Sequence, residues 1–469
     1  MNKQINLPRQ LRTAMRSGFN AAPRYALLAD ALRGLILSGD LLPGDRLPTE
    51  RSLTVDLSLS RSTIVAAYSR LAEGGWITAR QGQGTSVSSG PPGHIASAKR
   101  HTRMGSPALA RPRAADLLPW IDFSLATAVP DPAWLMPSDS GMRLILREGA
   151  YQPEGMLALR KRIAARYCAQ GLPTTPEQLL VCTGAQQAIS LLALQYLGAG
   201  DLVLLEDPNY FGAVDVFRAS GARLLGVPVR PRGAHAQGFI DTLERLRPKL
   251  SYVCPGLHNP TGTTWSASAC ARLGRAAARS GSLLLLDDSL ADLHFNSAPR
   301  PLLPAPGAAV IHIGSLSKTL WAGLRIGWLR APTAALYEQL RRAKVCADIA
   351  SSSLSGAIAC DLFDRLDALI APRRSGLQEQ SQAMLQALHE HLPDWQARAP
   401  EGGLFLWVKL PAHGPRAGEL VARAETLNVR LTPGSALAVD GGGDDHLRLA
   451  FTLPSTLATE GIRRLAALA

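Results

Sequence analysis

A lysine flanked by hydroxyls stands in the stretch GSLSKTLWAGLRIGW (314–328): Ser315 and Ser317 precede Lys318, and Arg325 lies one helical repeat further on. Hydroxyls, an amine and a guanidinium at this spacing can hold an anion and present a nucleophile. A lysine among serines says little by itself, and four further groups give it context. Thr183-Gly184-Ala185-Gln186 stands where an apolar run gives way to a helical pattern, so the N–H groups of Gly184, Ala185 and Gln186 and the helix dipole form an anion site. Asp287 closes the apolar run LLLLD, where a lone carboxylate is costly unless something pairs with it. Glu206-Asp207-Pro208-Asn209-Tyr210 and His258-Asn259-Pro260-Thr261-Gly262 follow apolar runs in the same way.

These groups need a frame to bring them together. Short apolar runs predict strands over 179–182, 202–205, 252–254, 283–287 and 310–313, with amphipathic helices such as 185–197 and 267–279 between them. That alternation predicts an α/β body with a largely parallel sheet, whose ligands sit beyond the carboxyl ends of the strands. The chain has 469 residues, 46% hydrophobic and 19% charged, a globular composition that excludes a disordered or low-complexity protein. No apolar run reaches the roughly 18 to 20 residues that span a bilayer, and MNKQINLPRQLR lacks the apolar core of a signal peptide. The expected location is cytoplasmic, without membrane association. Six cysteines never fall at C-x-x-C spacing and are expected to be core thiols, with neither disulfides nor a metal site.

Charge is distributed unevenly. Residues 1–90 hold 11 Lys and Arg against 6 Asp and Glu, residues 91–115 hold 5 against none, and the remaining 354 hold 34 against 31. A positive surplus in the first quarter suits a nucleic-acid-binding segment joined to a nearly neutral body. The stretch 88–115 has no period, four prolines, three glycines and only positive charges, and reads as a linker. Before it, Tyr25, Leu28, Leu32, Leu35 and Ile36 stripe a first helix, and a second begins near Thr49 and buries Leu53 and Leu57. Ser60 then caps a third with Ile64, Tyr68 and Leu71 inward, stopped by Gly74 and Gly75, and WITARQGQGTSV reads as a hairpin. Three helices and a hairpin in this order make a winged helix-turn-helix, which places the start of its third helix in the DNA major groove.

The run RLPTERSLTVDLSLSRSTIVAAYSRLAEGGWITARQGQGTSV resembles the DNA-binding domain of the GntR family of bacterial regulators. The resemblance implies that Arg51, Ser60, Arg61, Ser62 and Gly82 contact double-stranded promoter DNA; Ser58 and Thr54 replace a Gly and an Ala usual around the turn. From Ile121 onward the motifs resemble fold type I pyridoxal 5'-phosphate (PLP) enzymes of the aspartate aminotransferase group. On that resemblance Lys318 carries the cofactor as an internal aldimine. Ser315, Ser317, Arg325 and Gly184, Ala185 and Gln186 hold its phosphate, Asp287 pairs with its ring nitrogen, Asn259 donates to its ring hydroxyl and Tyr210 stacks on its face. Arg448, in HLRLAF, clamps a ligand carboxylate. Tyr151, in YQPEGMLALR, reaches the phosphate of a second subunit, which implies a homodimer.

One departure stands out. The group usually carries a tyrosine two or three residues after the aspartate, donating to the ring hydroxyl; here Ser289 and Leu290 follow. A winged helix (20–88), a basic linker (89–118) and an aminotransferase-like body (119–469) together resemble the MocR class of transcriptional regulators. That resemblance implies a regulator that senses an amino compound by external aldimine formation and alters its hold on DNA. The alternatives are a working aminotransferase that carries a DNA-binding domain, and a regulator that keeps the body only as a dimer scaffold. Arg448 favours a carboxylate-bearing effector, and Gly212 stands where relatives that sense ω-amino acids carry a second arginine. An ordinary α-amino acid, or PLP itself, is the expected effector.

Overall fold

The structure, a computed structural model, describes residues 7–8, 11, 23–37, 41, 45–73, 76–80, 84–88, 120–126, 130–148, 151–296 and 307–468. The chain divides into two compact units, Met1–His101 and Thr102–Ala469. The linker and the glycines at 74, 75 and 82 lie outside the described residues.

In the first unit three helices, Arg24–Leu37, Glu50–Leu57 and Arg61–Glu73, precede a hairpin of β1 (Ile77–Arg80) and β2 (Gly84–Val87). Thr49 caps the second helix by accepting from the Ser52 N–H at 3.2 Å, and Ser60 caps the third by accepting from the Thr63 N–H at 3.2 Å. Between them Ser58 has φ 55°, the left-handed conformation that glycine adopts without cost, which is why a serine there is a departure. Leu28, Leu32, Leu53, Ile64, Tyr68, Leu71, Ile77 and Val87 form the core, which Leu7 and Leu11 also join. Tyr25 is exposed, a correction to the expected stripe, while Leu35, Ile36 and Leu57 are half-buried against it. The hairpin pairs Ile77 with Val87 and Arg80 with Gly84, and an Arg46–Ser86 bridge widens it at its base.

The second unit is built on a seven-stranded sheet in the order β4 (Leu179–Cys182), β10 (Gly327–Arg330), β9 (Val310–Ser315), β8 (Leu283–Asp287), β7 (Leu250–Val253), β5 (Leu202–Asp207), β6 (Arg223–Pro228). β10 runs antiparallel to both its neighbours, and every other pairing is parallel. Both faces are covered: Leu283 and Leu285 pack into one apolar cluster and Leu284 and Leu286 into another, so β8 is buried throughout. β5 and β9 each run two residues past their expected ends, and β7 stops before Cys254. A four-stranded antiparallel sheet, β11 (Gln396–Ala397), β12 (Phe405–Lys409), β15 (His446–Ala450) and β14 (Thr432–Pro433), forms the smaller part. β3 (Ile121–Asp122) is tied to it through parallel pairing with β13 (Val429–Arg430). All six cysteines are free; Cys182, Cys254 and Cys360 are buried, but Cys168 and Cys346 are exposed, because their helices turn those positions outward. Among the described residues no helix is long and apolar enough to cross a membrane.

Candidate functional site

The carboxyl ends of β4, β7, β8 and β9 converge on one cavity. Ala185, Gln186, Tyr210, Asn259, Asp287, Ser315, Ser317, Lys318 and Arg325 all line it. β9 ends at Ser315, whose Oγ accepts from the Ser317 N–H at 3.1 Å and so opens a single helical turn, Leu316–Thr319, that carries Lys318. The turn stops there. Arg325 therefore does not extend the same helix: it follows a 3-10 turn with φ 54°, and that left-handed residue swings its guanidinium back to the Thr183 carbonyl, Nη2 to O 2.7 Å. Gly184 has φ 78°, and a Cβ there would stand 3.2 Å from Arg325 Nη2, so glycine lets the guanidinium close over the start of helix Gly184–Tyr196.

Lys318 is half-buried, its Nζ donating to the Ala126 carbonyl at 3.2 Å. Burial first, then the charges of Arg448, Arg325 and Arg373, pull its pKa down to about 8, which puts a usable share of free amine near neutral pH. Asp287 accepts from the Tyr252 hydroxyl at 2.5 Å and from the Ser289 N–H at 2.9 Å. Both donors are neutral and burial raises its pKa, so the carboxylate is suited to a cationic partner from the cavity. Burial, and then Asp287, push the Tyr210 phenol up to about 12, so it stays neutral. A Cβ on Gly212 would come within 2.6 Å of Tyr210 Cζ, so any side chain there displaces this ring.

Arg448 lies beside the cavity wall, fully buried, its guanidinium 4.2 Å from the centre of the Phe405 ring. Nη2 donates to the Ser124 carbonyl at 3.0 Å, and Nη1 to Asn259 Oδ1 at 3.5 Å, which leaves the Asn259 amide nitrogen to donate elsewhere. Tyr151 is exposed and is not brought to the cavity of its own chain. In the first unit Arg51, Ser60, Arg61 and Ser62 are all exposed around the starts of the second and third helices, and Arg61 stands 3.7 Å from Glu50.

Other polar groups near the site were given no role in the reading of the sequence, which placed Glu206 only within the motif 206–210. Glu206 is fully buried; it accepts from Trp265 Nε1 at 2.9 Å and from the Cys254 N–H at 2.8 Å, and it meets His235 Nε2 at 2.8 Å. Burial opposes its charge, but His258, His235 and the Cys254 N–H outweigh it and hold its carboxyl below the usual range. A glutamate closing an apolar strand was the available signal, the same one that marked Asp287. Gln186 Oε1, Ser289 Oγ, Ser317 Oγ and Arg448 Nε are buried without a hydrogen-bond partner, at or beside the cavity. A phosphorylated, hydroxylated pyridine fits this set: unpaired polar atoms, a carboxylate awaiting a cation, a helix start backed by a guanidinium, and an amine of lowered basicity.

The matches to known proteins agree with this architecture. The family model for aminotransferase class I and II matches residues 147–465, and that for gntR-family bacterial regulatory proteins matches 24–87. The chain belongs to the aminotransferase class I and II family and carries a gntR-type domain before it, the two-part organisation of the MocR class of regulators. It is similar to the uncharacterized HTH-type transcriptional regulator YisV of Bacillus subtilis, 28% identical over 92% of this chain and 93% of that one. It is also similar to the probable rhizopine catabolism regulatory protein MocR of Rhizobium meliloti, 28% identical over 80% and 78%. Among solved structures, the α-aminoadipate aminotransferase LysN of Thermus thermophilus, complexed with N-(5'-phosphopyridoxyl)-L-leucine, matches with a TM-score of 0.66 and 32% identity, covering 74% of this chain and 92% of that one.

Proposed function

We propose that this protein is a PLP-dependent transcriptional regulator: its winged helix holds promoter DNA, and its body senses an amino compound by letting that compound's amine exchange with Lys318. The observation that carries the reading is the cavity itself, lined by a half-buried lysine of lowered basicity, a buried carboxylate with neutral donors only and unpartnered hydroxyls, in a chain that also has a gntR-type domain. When bound, the cofactor supplies an aldehyde carbon that condenses with amines and a ring that withdraws electrons. Lys318 provides the amine that holds it and can be displaced. Asp287 keeps a proton at the ring nitrogen, and Ser315, Ser317, Arg325 and the N–H groups of Gly184, Ala185 and Gln186 hold the phosphate. Tyr210 covers the ring face, Asn259 donates to the ring hydroxyl, and Arg448 receives the effector's carboxylate in place of the Ser124 carbonyl.

A homodimer is part of the proposal. Met136, Met142, Leu146, Tyr151 and Leu354 are exposed around helices Asp139–Glu148 and Ser353–Phe363, an apolar surface suited to a second copy of the chain, with Tyr151 extended toward the partner's phosphate site. Arg51, Ser60, Arg61, Ser62 and Gly82 are proposed as the DNA contacts. An α-amino acid, or PLP itself, is the proposed effector: Arg448 suits an amino acid's carboxylate, and Gly212 contributes no arginine of its own beside Tyr210.

A second reading, an active aminotransferase, is favoured by the match to LysN, whose body is of the same family. Against it, the wall beyond Asp287 is Ser289 and Leu290, so the phenol that tunes proton transfer at the ring hydroxyl is replaced. The test is a scan of amino compounds for a change in absorption of the PLP-loaded chain, with and without promoter DNA. Spectral changes with turnover far below that of dedicated enzymes support the regulator; sustained turnover with a keto acid acceptor supports the enzyme.

A further inference from the structure

The parallel pairing of β7 with β8 sets Tyr252 opposite Leu285, and Asp287 follows two residues further along the same face. A long aromatic side chain reaches such a diagonal neighbour, and the Tyr252 hydroxyl meets Asp287 Oδ2 at 2.5 Å. Tyr252 is completely buried, its ring packed edge-on against Phe217 at 5.8 Å, so it has one place to stand. The Ser289 N–H holds the other carboxylate oxygen, Oδ1, at 2.9 Å. Two donors, one from each side of the strand end, thus fix the plane of a carboxylate that would otherwise rotate about its side chain.

We infer that Tyr252 is a positioning residue for the cofactor's pyridine nitrogen, acting through Asp287: it orients the carboxylate toward the ring and keeps the shared proton on the nitrogen. The inference rests on the reading of Asp287 as the partner of that nitrogen. The chemistry is that of a donor on an anion. A carboxylate that already accepts a hydrogen bond binds a proton less tightly, which offsets the upward push of burial on Asp287. A ring that keeps its proton keeps its positive charge, and that charge lowers the proton affinity of basic atoms attached to the ring. The arrangement also bears on Ser289 and Leu290: a phenol is lacking at the ring hydroxyl, while one is retained at the ring nitrogen.

Packing alone predicts a different outcome from positioning, because Tyr252→Phe keeps the buried ring and removes only the hydroxyl. The experiment uses the full-length protein, titrated with PLP and followed by absorption across a pH series, for the wild type, Tyr252→Phe, Asp287→Asn and the double variant. The thermal unfolding midpoint of each cofactor-free protein is measured in parallel. The expected result is roughly tenfold or greater loss of PLP affinity in Tyr252→Phe, with the pH midpoint of the bound cofactor's absorption moved upward by about half a unit or more. In the Asp287→Asn background, Tyr252→Phe should change neither quantity further. Unaltered affinity and midpoint in Tyr252→Phe overturn the inference, as does an equal effect of Tyr252→Phe in both backgrounds. Failure of the wild type to bind PLP overturns the cofactor reading and this inference with it; normal wild-type binding beside an unaffected Tyr252→Phe overturns this inference alone.

Discussion

Arg448 spends its Nη2 donor on the main-chain carbonyl of Ser124, 3.0 Å away, although Ser124 lies 324 residues earlier in the chain. Two residues further on, the Ala126 carbonyl accepts from Lys318. Both cations proposed to meet an effector are therefore held by neighbouring carbonyls of one segment, continuous with β3. A carboxylate is the better acceptor for a guanidinium, so an amino acid entering the cavity competes with Ser124 and not with another charge.

The first expected outcome follows from that competition. Arg448→Gln removes the charge and the planar fork but keeps a donor. Affinity for a carboxylate-bearing effector should fall about 10- to 100-fold, the worth of a charge-assisted hydrogen bond. PLP binding in its absence should change little, because Arg448 lies beside the cavity wall and not under the phosphate. Titrations of amino acid against the loaded protein's absorption measure both.

Lys318 gives a pH-dependent stability with a definite sign. Its pKa in the folded chain is lowered from 10.5 to about 8, so between those values the unfolded chain binds more protons than the folded one. Stability of the cofactor-free protein should then rise with pH from about 8 to about 10.5, by on the order of 3 kcal/mol. Lys318→Met removes this contribution, so its stability should exceed the wild type's near pH 7 and converge with it near pH 10.5. Denaturant midpoints that run parallel for the two proteins across this window count against a strained amine. The same substitution should abolish the covalent PLP adduct trapped by borohydride, seen by mass spectrometry on Lys318 in the wild type.

Much of this site was legible because strand ends carry it. An apolar run ending in a charged or hydroxyl residue marked Asp287, Ser315 and Lys318, and the reversal from strand to helix marked Gly184. Arg325 was found, but its route was misjudged: spacing alone suggested one helix, whereas a one-residue left-handed turn brings the guanidinium back. Tyr252 was read only as a strand residue, since alternation along β7 cannot show which neighbour lies diagonally across β8. The carbonyls of Ser124 and Ala126 were invisible in principle, because every residue has one and only the fold selects which are used.

In the first unit, Arg61 and Glu50 are 3.7 Å apart, with the Arg61 side chain 80% exposed. Such a pair contributes little to folding, so Arg61→Ala should leave the melting temperature nearly unchanged. Its specific DNA affinity should nevertheless fall by about 1–3 kcal/mol if the guanidinium reads a base. Arg51→Ala is expected to behave likewise. Gel-shift titrations at fixed salt give the comparison, and unchanged promoter affinity in Arg61→Ala would contradict this placement.

Behind the cavity, Glu206 ties β5 to the segment on either side of Asn259 through Cys254 and Trp265, and to the start of helix Ala236–Leu246 through His235. Replacing it by alanine leaves buried donors without an acceptor, a change that costs about 3–5 kcal/mol for a buried ionic group. Glu206→Gln, which keeps an oxygen, should lose clearly less. Urea denaturation of the two variants separates them, and equal losses would show that the network's charge and geometry do not matter.

The most direct measurement of the central claim is the affinity of the PLP-loaded protein for fluorescent promoter DNA, followed by anisotropy as an amino compound that alters the cofactor's absorption is added. The expected result is a change in DNA affinity of about 5- to 150-fold, the range of ordinary allosteric coupling, lost in Lys318→Ala. DNA affinity that stays constant while the cavity saturates, with keto acid accumulating at about 10 per second, the typical pace of a dedicated enzyme, would contradict it.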